Sequence, residues 1–170
     1  MNCGFKDYPV EVYESKYPFI LKRYGFRPDT GGPGRFRGGT GIYREYRLDT
    51  LATIYASFER SITPAWGLFG GHDAVGPDVV VNPGREDEQH TLKVNALWLD
   101  AGDAVRLSTG GGGDFGNLWE RDPERVREDV LDGYLTREGV ERDYGMVSKE
   151  DLSIDEEATQ KRRKAMKAKG

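Results

Sequence analysis

Arg27-Pro28-Asp29-Thr30-Gly31-Gly32-Pro33-Gly34-Arg35-Phe36-Arg37-Gly38-Gly39-Thr40-Gly41 is the most informative stretch of this 170-residue chain. Six of the fourteen residues from Pro28 to Gly41 are glycine, and Gly110 to Gly113 forms a second, unbroken run. Neither cluster reads as a low-complexity linker, because Arg35, Phe36 and Arg37 interrupt the first and Phe115 follows the second. They read as ordered loops whose backbone turns sharply or approaches another chain closely. Gly31, Gly32, Gly34, Gly38, Gly39, Gly111, Gly112 and Gly113 are the structural candidates, together with Trp66 at a strand end in Pro64-Ala65-Trp66-Gly67.

Outward from these loops the apolar pattern has period two. Val10 and Val12, then Phe19 and Leu21, predict two strands parted by a charged turn at Glu14 to Lys16. Arg44, Glu45 and Arg47 make Ile42 to Leu48 an edge or two-sided strand under something polar. Ala52, Ile54, Ala56 and Phe58 alternate as a half-buried strand, and shorter candidates follow at Val79–Val81, Thr91–Val94 and Ala104–Leu107. Residues 8–108 therefore read as an all-β unit. After Arg121 the period changes. Asp122-Pro123-Glu124 supplies an N-cap, a first-turn proline and an acidic start, and Gly133 stops that helix. A second helix is predicted from Thr136 to Tyr144-Gly145, and a third from the capping box Ser153-x-x-Glu156 to Lys169, with little to bury and a solvated end. The expected architecture is mainly β, a sandwich-like unit of short strands, with a helical carboxy-terminal appendage and a place in a larger assembly. The expected boundaries are 1–120 for the β-rich glycine-loop domain and 121–170 for the helical segment.

Composition excludes several classes of function. With 25 Lys+Arg against 29 Asp+Glu the formal charge is −4, and no basic patch precedes the tail, which argues against nucleic acid. Only 36% of residues are hydrophobic and no run nears the roughly 18 apolar residues of a membrane span. The absence of a signal-like start and the single cysteine, Cys3, fit a reducing cytoplasm.

The chemistry is equally bounded. His72 and His90 stand alone, without a cysteine pair, so no transition-metal site is expected within the chain. There is no Gly-x-Ser-x-Gly elbow, and Gly34 to Thr40 lacks the lysine of a phosphate-binding loop. Arg35 and Arg37 could fork around a carboxylate or phosphate, or cross an interface. Asp29, Glu45, Asp49 and Glu59 are carboxylates near the first glycine cluster, and Asp114 reads as the acceptor of a local turn. Taken alone, these residues compose no self-contained active site.

Read in order, the glycine segment 27–41, Arg60, Pro64 to Gly71, Leu99 to Asp103, Thr109 to Gly116 and Glu120 to Val126 resemble the hydantoinase B/oxoprolinase family. The resemblance continues through Asp129-Val130, Gly133 and Tyr144-Gly145, and corresponds to the carboxy-terminal third or so of a typical member. It implies a share in an ATP-dependent machine. A hydantoinase A-type subunit, carrying ATP and Mg, phosphorylates an amide or enolate oxygen of a small-molecule substrate. The B-type subunit then hydrolyses the activated species, or carboxylates it as in acetone and acetophenone carboxylases. An amino-terminal B-type chain is the second implied partner, and any Zn or Mn is implied to sit on a partner chain. Departures from the family pattern are Thr30 for serine, Glu59 for aspartate, and a late loop, Thr109 to Leu118, that lacks both prolines, one glycine and one carboxylate of the usual motif.

The resulting expectation is a subunit, or split carboxy-terminal part, of a hydantoinase/oxoprolinase-like hydrolase of cyclic amides, inactive alone. A ketone carboxylase subunit and a non-catalytic assembly module are the alternatives. Asp29, Thr30, Arg35, Arg37 and Arg60 are the candidates for orienting substrate or phosphate.

Overall fold

Val79, Val80 and Val81 are buried on every side, as a strand covered on both faces demands. A computed structural model describes residues 7–149, 151 and 153–167; Cys3 and Lys169 lie outside them. The strands are β1 (Phe19–Arg27), β2 (Gly41–Leu48), β3 (Ala52–Ser57), β4 (Asp78–Val81), β5 (Gln89–Thr91), β6 (Lys93–Leu99) and β7 (Ala104–Ser108). The helices are α1 (Val10–Lys16), α2 (Pro123–Leu131), α3 (Arg137–Asp143) and α4 (Glu156–Lys167), with a 3₁₀ turn at Leu118–Glu120. The chain is mainly β with a helical carboxy-terminal segment. It divides into two units, one built from residues up to 25 with 43–58 and 78–107, the other from 26–42, 59–77 and 108 onward.

In the first unit, a five-stranded sheet of order β1-β2-β7-β4-β5 and an antiparallel ribbon of β3 and β6 share one core. Leu48, Val79, Val81 and Val105 from the sheet meet Ile54, Leu97 and Leu99 from the ribbon. The ribbon register pairs Ala52 with Leu99 and Ile54 with Leu97, then shifts at a bulge where Ala96 takes φ 58°.

Two expectations change here. Val10–Lys16 is a helix, not a strand: it follows Pro9, has Glu11 in its first turn and Lys16 in its last, and buries no residue, so Val10 and Val12 serve no sheet face. The supposed turn at Glu14 is helical, and its carboxylate accepts the Leu21 N–H at 2.8 Å. The second concerns β2, for which edge and two-sided readings were both open: flanked by β1 and β7 it is interior, so the two-sided reading stands and the edge reading falls. Arg44 is tolerated there because its guanidinium pairs with Asp7 and lies 4.7 Å from the Tyr24 ring centre.

The second unit has its own apolar cluster of Leu118, Val126, Leu135, Val140, Tyr144 and Met146. Asp122 caps α2 through the Glu124 N–H at 2.9 Å, and Thr136 caps α3 through the Gly139 N–H at 2.9 Å. Gly133 and Gly145, at φ 76° and 58°, follow these helices where the period stops. The cap of α4 is Asp155, which accepts the Ala158 N–H at 3.0 Å, while the Ser153 hydroxyl is turned to Asp151 at 2.6 Å. The last helix is not simply solvated. Thr159 accepts the Val147 N–H at 2.9 Å, Arg162 donates to Glu141 O at 3.1 Å and Arg163 to Tyr144 O at 3.1 Å. Polar side chains dock this helix, so its lack of apolar residues misleads.

Much of the rest of the second unit is three loops, 30–41, 65–75 and 109–116, joined to each other by backbone hydrogen bonds. Gly32 N–H reaches Gly112 O at 3.0 Å, Gly112 N–H reaches Gly39 O at 2.8 Å, and Gly111 N–H reaches Val75 O at 3.0 Å. A Cβ on Gly38 would lie 1.9 Å from Gly112 O, and one on Gly111 would lie 1.9 Å from Thr30 O. No side chain fits between backbones this close. Gly39 has open space. We therefore expect Gly38→Ala and Gly111→Ala each to destabilise by about 2 kcal/mol or more, as overpacking does. Gly39→Ala should leave the midpoint unchanged or raise it slightly, and urea unfolding of the three variants checks the contrast.

Candidate functional site

The five orienting candidates fall in three places within the second unit. Asp29 and Thr30 border an open cleft of about 780 Å³ that His72, Asp73 and Arg142 also line. Asp29 sits at φ 58°, strained for a non-glycine residue. Its carboxylate accepts the Thr136 N–H at 2.8 Å and the Thr136 hydroxyl at 2.6 Å, tying the glycine loop to the start of α3. Gly139 is needed there, because a Cβ would lie 2.1 Å from Asp29 Oδ1. The buried Thr30 hydroxyl donates to Arg27 O at 2.6 Å and accepts the Gly41 N–H at 2.9 Å.

Arg35 and Arg37 border a second cleft of about 670 Å³, lined mainly by charged groups of both signs. Arg35 is exposed and pairs with Glu120 at 3.4 Å. Arg37 is half-buried: its guanidinium lies 3.2 Å from Asp129, bonds Gly38 O at 2.6 Å and Thr40 Oγ1 at 2.9 Å, and stacks 4.9 Å from the Tyr134 ring centre. Arg121 holds the other oxygen of Asp129 and donates to Arg35 O at 3.2 Å. Two arginines thus share one buried carboxylate, a pattern costly to break.

Arg60 stands apart from both clefts. It has φ 62°, and its guanidinium lies 5.4 Å from the ring centre of the exposed Trp66. Neither residue is confined by a core, so Trp66 is not the buried strand-end tryptophan expected.

The sequence missed Asp114. Only 4% exposed, its carboxylate lies against the α-carbons of Gly34 and Gly71, where added Cβ atoms would stand 1.3 and 2.0 Å from its oxygens. Neither oxygen closes a well-aligned hydrogen bond, although the His72 N–H faces the group. Burial pushes this carboxyl up, opposed more weakly by that N–H and by the charges of His72 and Arg121. The only local signal was the glycine run Gly110 to Gly113 just before Asp114, since Gly34 and Gly71, which enclose the carboxylate, come from other loops.

Across the three loops, Gly32, Gly111 and Gly112 each spend their N–H group on a carbonyl of a neighbouring loop. Among the described residues no three His, Cys, Asp or Glu side chains converge as ligands.

Two outcomes follow. Asp129→Ala should cost about 3–5 kcal/mol, because Arg37 and Arg121 are left buried without their carboxylate; thermal unfolding reads it. A carboxyl raised on folding stabilises at low pH, and that contribution is lost as pH rises from its unfolded value through its native one. Asp114→Asn should therefore be more resistant to urea than the parent chain near about pH 7, with the difference vanishing below about pH 4.

The hydantoinase B/oxoprolinase family model matches residues 1–118. An uncharacterised protein, MJ0963 of Methanocaldococcus jannaschii, is 35% identical over 91% of this chain and 28% of its own. The caprolactamase subunit beta of Pseudomonas jessenii is 30% identical over 92% of this chain and 28% of its own. The crystal structure of the ATP-dependent caprolactamase from that organism superposes with a TM-score of 0.77 at 25% identity, over 92% of this chain and 28% of that one. A nucleotide-free acetone carboxylase structure shares the fold, with a TM-score of 0.74 at 21% identity over 95% of this chain and 26% of that one. The chain thus spans little more than a quarter of the length of each of these proteins. No helix among the described residues is long and apolar enough to cross a membrane. With the glycine motifs, the family model and the superposition in agreement, the chain belongs to the hydantoinase B/oxoprolinase family.

Proposed function

We propose that this chain is one part of the B-type component of an ATP-dependent hydrolase that opens cyclic amides. The observation that carries the reading is the match to an ATP-dependent caprolactamase through 92% of the chain. A hydantoinase A-type partner would transfer the γ-phosphoryl group of ATP to the amide oxygen, using Mg on its own site. Phosphorylation activates the amide carbon: water adds to it, the C–N bond breaks as the nitrogen leaves with a proton, and a second water cleaves the remaining acyl phosphate to carboxylate and inorganic phosphate. Remaining acid–base or metal groups, Zn or Mn included, belong to a further B-type region. In this reading nucleotide and metal are held by the partner regions, and the residues of this chain orient and position.

The candidate residues divide by role. Asp29, Thr30 and Arg37 are committed to bonds that hold the loops, and they act as positioning residues. Arg60, at φ 62° and exposed beside Trp66, is the candidate to orient a charged group of the substrate, since sparsely populated backbone conformations cluster at functional sites. A ketone carboxylase is the second reading, favoured by the shared fold with acetone carboxylase. The cytoplasm is the proposed compartment.

Turnover of ATP by the complex purified from its host decides the reaction. Turnover dependent on a lactam or hydantoin supports the hydrolase, and turnover dependent on a ketone with bicarbonate replaces it with the carboxylase. In the complex Arg60→Ala should lower kcat/KM by about 10- to 100-fold with the subunits still associated. Loss of the complex instead assigns Arg60 to assembly.

A further inference from the structure

Phe69 is bulky, 80% exposed and held at φ 53°, a region that suits glycine or asparagine. It occupies the first corner of the turn Leu68-Phe69-Gly70-Gly71, closed by the Gly71 N–H on Leu68 O at 3.1 Å, with Gly70 at φ 88° in the second corner. Asparagine or glycine would make this turn at lower cost. The strain places the Phe69 ring 5.0 Å from that of Phe115, which in turn lies 6.2 Å from Phe36. All three rings and Leu68 are exposed.

The cluster is rigid although its members come from three loops. Phe36 and Phe115 exchange backbone hydrogen bonds at 3.0 and 3.2 Å, while Leu68 N–H reaches Asp114 O and Gly116 N–H reaches Leu68 O, both at 2.9 Å. At its margin the Arg35 guanidinium lies 5.4 Å from the Phe36 ring centre and pairs with Glu120. An aromatic centre, held in place beforehand and edged by charge, is the anatomy of a binding hot spot. Its exposed area, of the order of a few hundred Å², suits the middle of an interface of about 800 Å² per partner.

We infer that Phe36, Leu68, Phe69 and Phe115 form the seat on which the remaining region of a B-type polypeptide docks. This rests on the subunit reading above. The occupant follows from length: relatives carry this chain as 28% of their own, so the cluster faces a family in which a much larger region accompanies it. The strain at Phe69 is then repaid only in the assembled state.

The test uses tagged 170-residue chain expressed in its own host, with the parent, Phe69→Gly and Leu131→Ser compared. Leu131, exposed on α2, is the surface control. The parent and the control should retain, at equal stoichiometry, a polypeptide whose peptides map to the B-type region missing from this chain. Phe69→Gly should bind it at least tenfold more weakly while the free chain resists urea as well as the parent or better, because glycine relieves the strain. Equal retention by Phe69→Gly overturns the docking seat and leaves the subunit reading intact. Failure of the parent to retain any B-type polypeptide overturns the subunit reading and the seat with it. A homodimer of the free chain that Phe69→Gly dissolves assigns the cluster to a second copy and also overturns the proposal.

Discussion

Backbone against backbone is the contact on which the second unit depends. Most protein cores are filled by side chains; here three loops approach so closely that Gly32, Gly38, Gly111 and Gly113 leave no room for a methyl group. The gain is not hydrophobic. It comes from N–H and C=O groups that satisfy each other between loops, and from the dense packing that glycine alone permits. Glycine brings an entropic cost, and the ion network of Arg37, Asp129 and Arg121 and the Asp29–Thr136 link set that cost against fixed long-range ties.

This arrangement explains what was legible in the sequence. The glycine clusters announced ordered loops, and the caps at Asp122 and Thr136 marked two helices, because those signals are local. Val10 and Val12 misled because three residues cannot separate period two from a helical turn that buries nothing. The position of β2 in its sheet and the polar docking of α4 were illegible for another reason. Both depend on partners distant in sequence, Asp7 and Tyr24 for Arg44, Glu141 and Tyr144 for Arg162 and Arg163.

The site was legible as a list of residues and not as a place. Asp29, Arg35 and Arg60 stand together as candidates on paper, yet the fold sends them to one cleft, another cleft and an exposed position at φ 62°. Enclosure of Asp114 depends on Gly34 and Gly71 arriving from two other loops, a convergence that no spacing encodes. Family motifs located the chain within a family because they record that convergence without displaying it.

The tie between Asp29 and Thr136 joins residues 107 apart in sequence. Closing a loop of that length costs about 4 kcal/mol in chain entropy alone, before any contact is rewarded. On a ribosome adding about 5–20 residues per second, Asp29 waits roughly 5–20 s for its partner to be synthesised. For that interval the first glycine loop has no complement, and its amides are hydrated. Vectorial synthesis therefore delivers the glycine-rich unit late and all at once, and the nascent chain spends its most vulnerable period with the loop that defines the family still unfolded.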